Sequence, residues 1–227
     1  MHSLTAHFRC LGYTGRRSVL HAFFGLRRAP ETLSLRQQME RVRRPHLLHL
    51  NMIRMGFDAL LFQNEREAAE REVDLAVHRI RQIYDQVQIG VARVQHFSVN
   101  VLDADGFEHI SGDGEADDLC DRYSVDNDGL DLFLVLTYSG STIGSSPGRG
   151  DCDKDGKGSG MVVAIESADP ELTATVCAHE MGHFLGYDDH SGDPNNLMST
   201  TGARGLTGSQ GETFRSHCLI TECAAFQ

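Results

Sequence analysis

The sequence predicts an α/β (α+β) domain built on a twisted mixed sheet, on three observations. Between residues 64 and 87 apolar side chains recur every three or four positions; apolar runs of strand length follow at 91–102, 130–138 and 161–166; and a second helical stretch begins at residue 171. The length, 227 residues with 40% hydrophobic and 23% charged side chains, suits one ordinary domain with an appendage.

Each element has a local justification. Asn64 and Glu67 have the spacing of a capping box, and Val73, Val77, Ile80, Tyr84 and Val87 form one face of an amphipathic helix. The run 91–102 reads as a strand, 130–138 as a strand buried on both faces, and 161–166 as a third strand. Asp169 as N-cap and Pro170 at the first position open a helix that runs from Glu171 to Leu185 and ends at Gly186. Residues 192–205, rich in Gly, Ser, Thr and Asn, form a loop, and Thr207 with Gln210 caps a C-terminal helix. Upstream, the Arg-rich stretch 33–61 reads as one or two helices interrupted at Pro45. The division is therefore set at residue 60: a basic, partly helical N-terminal extension or pro-segment over 1–60, and the main domain over 61–227.

Charge separates the same regions. Residues 1–54 hold ten Arg against two Glu, whereas the remainder holds 11 basic and 30 acidic side chains. So acidic a body disfavours nucleic acid and anionic membranes as partners. The apolar runs fall short of the roughly 18 residues a membrane helix needs, so no membrane span is expected. Arg16 and Arg17 precede a partly apolar stretch at 18–26 that makes a poor secretory signal. Cys218 and Cys223, close together, and Cys120 and Cys152, in acidic loops, nevertheless suit disulfides in an oxidising compartment, with the pairing left open. A secreted or extracytoplasmic location is expected.

The chemistry is concentrated at residues 178–190, A-H-E-M-G-H-F-L-G-Y-D-D-H. His179 and His183 stand four apart, which on a helix places both imidazoles on one face, about 5–6 Å apart at Cβ. Zinc accepts imidazole nitrogen, and a catalytic zinc keeps one position for water beside three protein ligands. Glu180, next to the first histidine, is placed to act on that water as general base. Gly186 can adopt the positive φ that ends the helix and turns the chain back, bringing Asp189 and His190 within reach as third ligand.

This stretch resembles the metzincin metallopeptidase signature, H-E-x-x-H-x-x-G-x-x-H/D, followed by a methionine turn, here N-N-L-M-S with Met198 fifteen residues after His183. The resemblance implies a metzincin-like zincin domain with an active-site helix, a C-terminal helix, and Met198 forming an apolar base beneath the metal. Most metzincins have histidine at the position of Asp189; snapalysin-like members have aspartate followed by histidine. The resemblance therefore favours Asp189 as third ligand, with His190 the alternative. Thr200 stands where astacin-like and serralysin-like members have a tyrosine, so no tyrosine switch is implied. The strand at 161–166 is expected to pair with an extended substrate, and the segment after Met198 to wall a specificity pocket. Cys10, in F-R-C-L-G, is a candidate latency ligand.

The implied activity is zinc-dependent endopeptidase cleavage of protein or peptide substrates by a monomer. The alternatives are a zinc hydrolase acting on a non-protein amide and a non-catalytic zincin-fold binding module. A second metal, Ca2+, is a candidate at Asp151, Asp153 and Asp155 in D-C-D-K-D-G, completed by Asp126 or Asp128.

Overall fold

A computed structural model describes residues 44–140, 143–165 and 169–222. The expectations for the arginine-rich N-terminal residues, for Cys10 and for Cys223 lie outside the described residues. Five strands form the main sheet in the order β2-β1-β4-β7-β6. They are β1 (His46–Met55), β2 (Ile89–Val99), β4 (Leu130–Val135), β6 (Gly144–Ser145) and β7 (Gly160–Ala164). The first four neighbours are parallel, and β6 runs antiparallel to β7 at the edge. A short β8 (Thr221–Glu222) pairs antiparallel with the start of β1, and β3 (His109–Ile110) pairs with β5 (Thr137–Tyr138) in a separate ribbon.

Helices cover both faces. α1 (Gln63–Asp85) and α3 (Pro170–Phe184) lie on one, with α4 (Gly208–Arg215) beside them, and α2 (Asp113–Tyr123) on the other. The strand period of two divides the core: Leu130, Leu132 and Leu134 of β4, with Met161 and Val163 of β7, face α1 and α3. Phe133, Val135, Val162 and Ala164 face α2.

Residues 46–55, read from sequence as helical and assigned to the extension, are instead a strand inside the sheet, so the sheet reaches upstream of residue 60. The physical reason is burial on both faces: nine of the ten residues are buried, which erases the alternation that marks a strand. Two of its polar side chains are matched internally, Arg54 by Glu70 at 2.8 Å and Asn51 by Asp131 at 2.6 Å. Pro45 precedes the first strand residue, a position where its missing N–H removes no ladder bond.

The helix at 63–85 carries the predicted apolar face, with Val73, Val77, Ile80 and Tyr84 buried, but it starts at Gln63 with Phe62 as N-cap and no side-chain cap. The Asn64 capping box is therefore not formed. The Asp169 cap is, its carboxylate accepting from Leu172 N at 3.0 Å, and so is the Thr207–Gln210 box. α2 occupies what reads in sequence as an acidic loop. Its buried Ala116, Leu119, Cys120 and Tyr123 have helical spacing, masked by the carboxylates between them.

The loop of the predicted calcium site is built differently. Lys154, in its middle, is buried and points its ammonium at Asp131 Oδ1 (2.8 Å) and at the carbonyls of Val125 and Gly129 (both 2.6 Å). The lysine thus ties this loop to β4, while Asp153 and Asp155 are exposed. Among the described residues Asp151, Asp153 and Asp155 do not gather around a common centre. Cys152 in this loop is joined to Cys218 by a disulfide with a Cα–Cα distance of 6.1 Å, while Cys120 and Cys177 are buried free thiols.

Candidate metal centre

α3 enters under the sheet at Asp169 and is fixed along its length before it presents the motif. The Arg79 guanidinium from α1 grips Glu171 through two bonds, at 2.8 and 2.5 Å, and Arg204 reaches the same carboxylate at 2.6 Å. Thr173 donates to the buried Glu72, and Tyr84 donates from its hydroxyl to the carbonyl of Ala178 at 2.9 Å, immediately before His179. The helix is thereby anchored to α1 from its first turn to the residue before His179.

The two imidazoles then meet: His179 Nε2 and His183 Nε2 lie 3.1 Å apart. Each ring's other nitrogen faces a carbonyl, His179 Nδ1 that of Leu197 and His183 Nδ1 that of Tyr187, both at 2.7 Å. A carbonyl only accepts, so both Nδ1 atoms carry protons. Burial lowers the pKa of both histidines, which keeps the rings neutral. Two Nε2 lone pairs therefore point at each other, a repulsive arrangement unless a cation lies between them. Two nitrogens bonded tetrahedrally to one zinc at roughly 2.0–2.1 Å would be roughly 3.3 Å apart, so the pair fits the ion.

Gly186 has φ 99°, and its N–H closes on the carbonyl of His183 at 2.8 Å. A side chain there would be strained, and its Cβ would also lie 3.1 Å from Arg149 Nη1. The turn returns the chain so that His190 stacks on His179, with ring centroids 5.3 Å apart and planes inclined by 22°. The donor atoms of His179, His183 and His190 all lie within 4.8 Å of one another. Asp189, favoured as third donor in the sequence, is exposed and outside this group, and its alternative His190 is the residue brought in. Both residues are exposed, and adjacent residues of a non-helical segment point different ways, so the turn brings the donor of one, not of both, to the pair.

Glu180 is buried beside the histidines, and burial, with the carboxylate of Asp113, pushes its pKa up to about 8. Gly144 of the edge strand packs on it: a Cβ there would come within 2.9 Å of Glu180 Cγ and 2.8 Å of Val176 Cγ1. β7 is flanked on both sides by strands, so the sheet edge nearest Glu180 belongs to β6, not to the 161–166 strand expected to pair with substrate. A cavity of about 320 Å³ opens beside His179 and Glu180, walled by Leu172, Val176 and Leu197 and, after Met198, by Ser199, Thr200 and Gly202.

Met198 is fully buried beneath the helix, where a side chain on Gly182 would meet its Sδ at 2.4 Å. Tyr187 turns into the core, edge-on to Phe214, rather than toward a substrate.

No family model matches the chain. The chain is 32% identical over 102 residues to the snake venom metalloproteinase acutolysin-C of Deinagkistrodon acutus, a match covering 45% of this chain and 24% of that protein. It is 38% identical over 64 residues to snake venom metalloproteinase H5 of the same species, covering 28% and 15%. The chain thus matches a quarter or less of the length of these relatives. Its structure aligns with the crystal structure of metalloproteinase-II from Bacteroides fragilis at a TM-score of 0.51 and 14% identity, covering 91% of this chain and 59% of that one. The chain shares the fold of that structure.

The sequence missed the polar support of the site. Asn196 and Gln210, both buried, pair their amides behind the methionine turn. The signal was the amide residue two before Met198 and the second role open to the capping-box glutamine.

Proposed function

We propose that the chain is a zinc-dependent endopeptidase in which His179, His183 and His190 hold the metal and Glu180 is the general base. The observation that carries this reading is the pair of neutral imidazoles facing one another through unprotonated Nε2 atoms 3.1 Å apart, with a third imidazole within reach and a buried carboxylate alongside. Bound there, zinc would supply Lewis acidity, lowering the pKa of water to about 7 and polarising the substrate carbonyl.

The chain's own residues do the rest. Glu180 accepts the proton of the attacking water and passes it to the departing amine. The carbonyls of Leu197 and Tyr187 keep the Nδ1 protons in place, so that Nε2 of each ring always faces the metal. The outer edge of β6 adds an extended peptide by main-chain pairing, and the adjoining cavity takes the apolar side chain following the cleaved bond. Protein or peptide substrates, action as a monomer and an extracytoplasmic location, favoured by the Cys152–Cys218 disulfide, complete the reading.

Metal analysis paired with casein digestion tests it. The wild-type chain is expected to carry one zinc and to digest casein, and Glu180→Ala to keep the zinc and lose cleavage by a hundredfold or more. Zinc-loaded protein with no peptidase activity, or undiminished cleavage by Glu180→Ala, would refute the assignment.

A further inference from the structure

We infer that Gln210 of α4 is a positioning residue for the metal centre, acting on His179 through Asn196 and the carbonyl of Leu197; this rests on the zinc reading above. The chain of contacts is continuous. His179 Nδ1 donates to Leu197 O at 2.7 Å, so the direction of one peptide carbonyl sets the aim of the ring. That peptide is held at its own N–H, and the peptide before it is held as well. Leu197 N donates to Gly205 O at 2.6 Å, and Asn196 Oδ1 accepts from Met198 N at 2.9 Å, bridging across Leu197.

Asn196 is itself only 4% exposed, and its amide is locked by Gln210, 2% exposed. Asn196 Nδ2 donates to Gln210 Oε1 at 3.0 Å, and Gln210 Nε2 donates to Asn196 Oδ1 at 2.8 Å. A ring closed in both directions fixes which way each amide is turned, and with it which atom of Asn196 meets Met198 N. Gln210 also completes the capping box of α4: its N–H donates to Thr207 Oγ1 at 3.2 Å, and its Oε1 accepts from Thr207 N at 2.9 Å. One side chain therefore serves both a helix start and the outer sphere of a metal ligand.

The two roles separate chemically. Glutamate at 210 keeps the cap, which needs only an acceptor, and suits the positive end of a helix. It lacks the donor to Asn196 and sets a carboxylate oxygen against Asn196 Oδ1. Alanine removes both functions. The inference predicts that Gln210→Glu and Gln210→Ala each bind zinc about ten- to a hundredfold more weakly than wild type, the range typical for losing an outer-sphere partner. Competition against a chromophoric chelator measures this. Metal-free Gln210→Glu should unfold closer to wild type than metal-free Gln210→Ala. Because the effect runs through Asn196, adding Asn196→Ala to Gln210→Glu should weaken zinc binding no further than Asn196→Ala alone.

Wild-type zinc affinity in Gln210→Glu would overturn the inference and leave the cap as the residue's whole role. Additive losses in the double variant would also overturn it. A wild-type chain that binds no zinc at all would fail the metal reading itself, and this inference with it.

Discussion

Gly144 shows how one side chain's absence bears on catalysis. Its backbone runs directly over Glu180, and any Cβ would have to displace either that carboxylate or Val176. Gly144→Val should therefore displace Glu180, the proposed general base, while leaving the histidines untouched. The expected outcome is a fall in kcat of tenfold or more with zinc content unchanged, since a misplacement of about 1 Å can lower rates a hundredfold. Stopped-assay kinetics beside metal analysis would check it, and equal kcat for the two proteins would show that the base has room to spare. At the same scale, Asp189 and His190 show the limit of spacing arguments. The H-E-x-x-H-x-x-G frame announces that a donor follows the turn, but which of two adjacent side chains faces inward depends on backbone torsions set by the Gly186 turn and by the stacking of His190 on His179.

At the scale of elements, α3 delivers the motif and Glu171 fastens its first turn to α1 and to the loop beyond the methionine turn. The Arg79 guanidinium bonded to Glu171, with Arg204 beside it, holds that carboxyl at a pKa of about 2, well below its ordinary value of 4.5. A depressed carboxylate pKa contributes stability that is fully present above the unfolded value and lost as pH falls through the folded one. Glu171→Gln should therefore lower the Tm of the metal-free protein at pH 7, and the difference from wild type should shrink between about pH 5 and pH 2 and vanish below. The effect is modest, because the carboxylate is half exposed and screened by solvent. Thermal unfolding of both metal-free chains across that range would decide it, a pH-independent difference counting against the ion-pair account. Elements whose pattern is local were legible: the α1 face, the Asp169 and Thr207 caps, and the three strands read ahead of the motif. β1 was not, because burial on both faces leaves no period to read, nor was α2, whose four buried positions lie among acidic neighbours.

For the molecule as a whole, the Cys152–Cys218 disulfide joins the loop before β7 to the segment following α4, near which β8 closes on β1. It spans 66 residues of sequence that include His179, Glu180, His183 and His190. Chain-entropy arguments put such a closure at about 4 kcal/mol of stability. Replacing both cysteines by serine should lower the urea midpoint accordingly while zinc affinity changes less than threefold, because the metal donors all lie within the span and keep their own carbonyl partners. An unchanged midpoint would mean that the loop is held without the bridge. Lys154 acts on the same loop from inside, its ammonium tied to Asp131 and to the carbonyls of Val125 and Gly129.

What the sequence determined by itself was the local arrangement on which the proposed chemistry rests: a helical repeat of two histidines, a carboxylate between them, a glycine turn, and a methionine at a fixed remove, all encoded within about twenty residues where spacing and helix geometry suffice. What only the tertiary structure decided were the contacts between distant segments: the third imidazole, the edge strand over Glu180, the lysine in the acidic loop and the Asn196–Gln210 pair. Each depends on side chains brought together by packing, and packing is set by the whole core rather than by any local pattern.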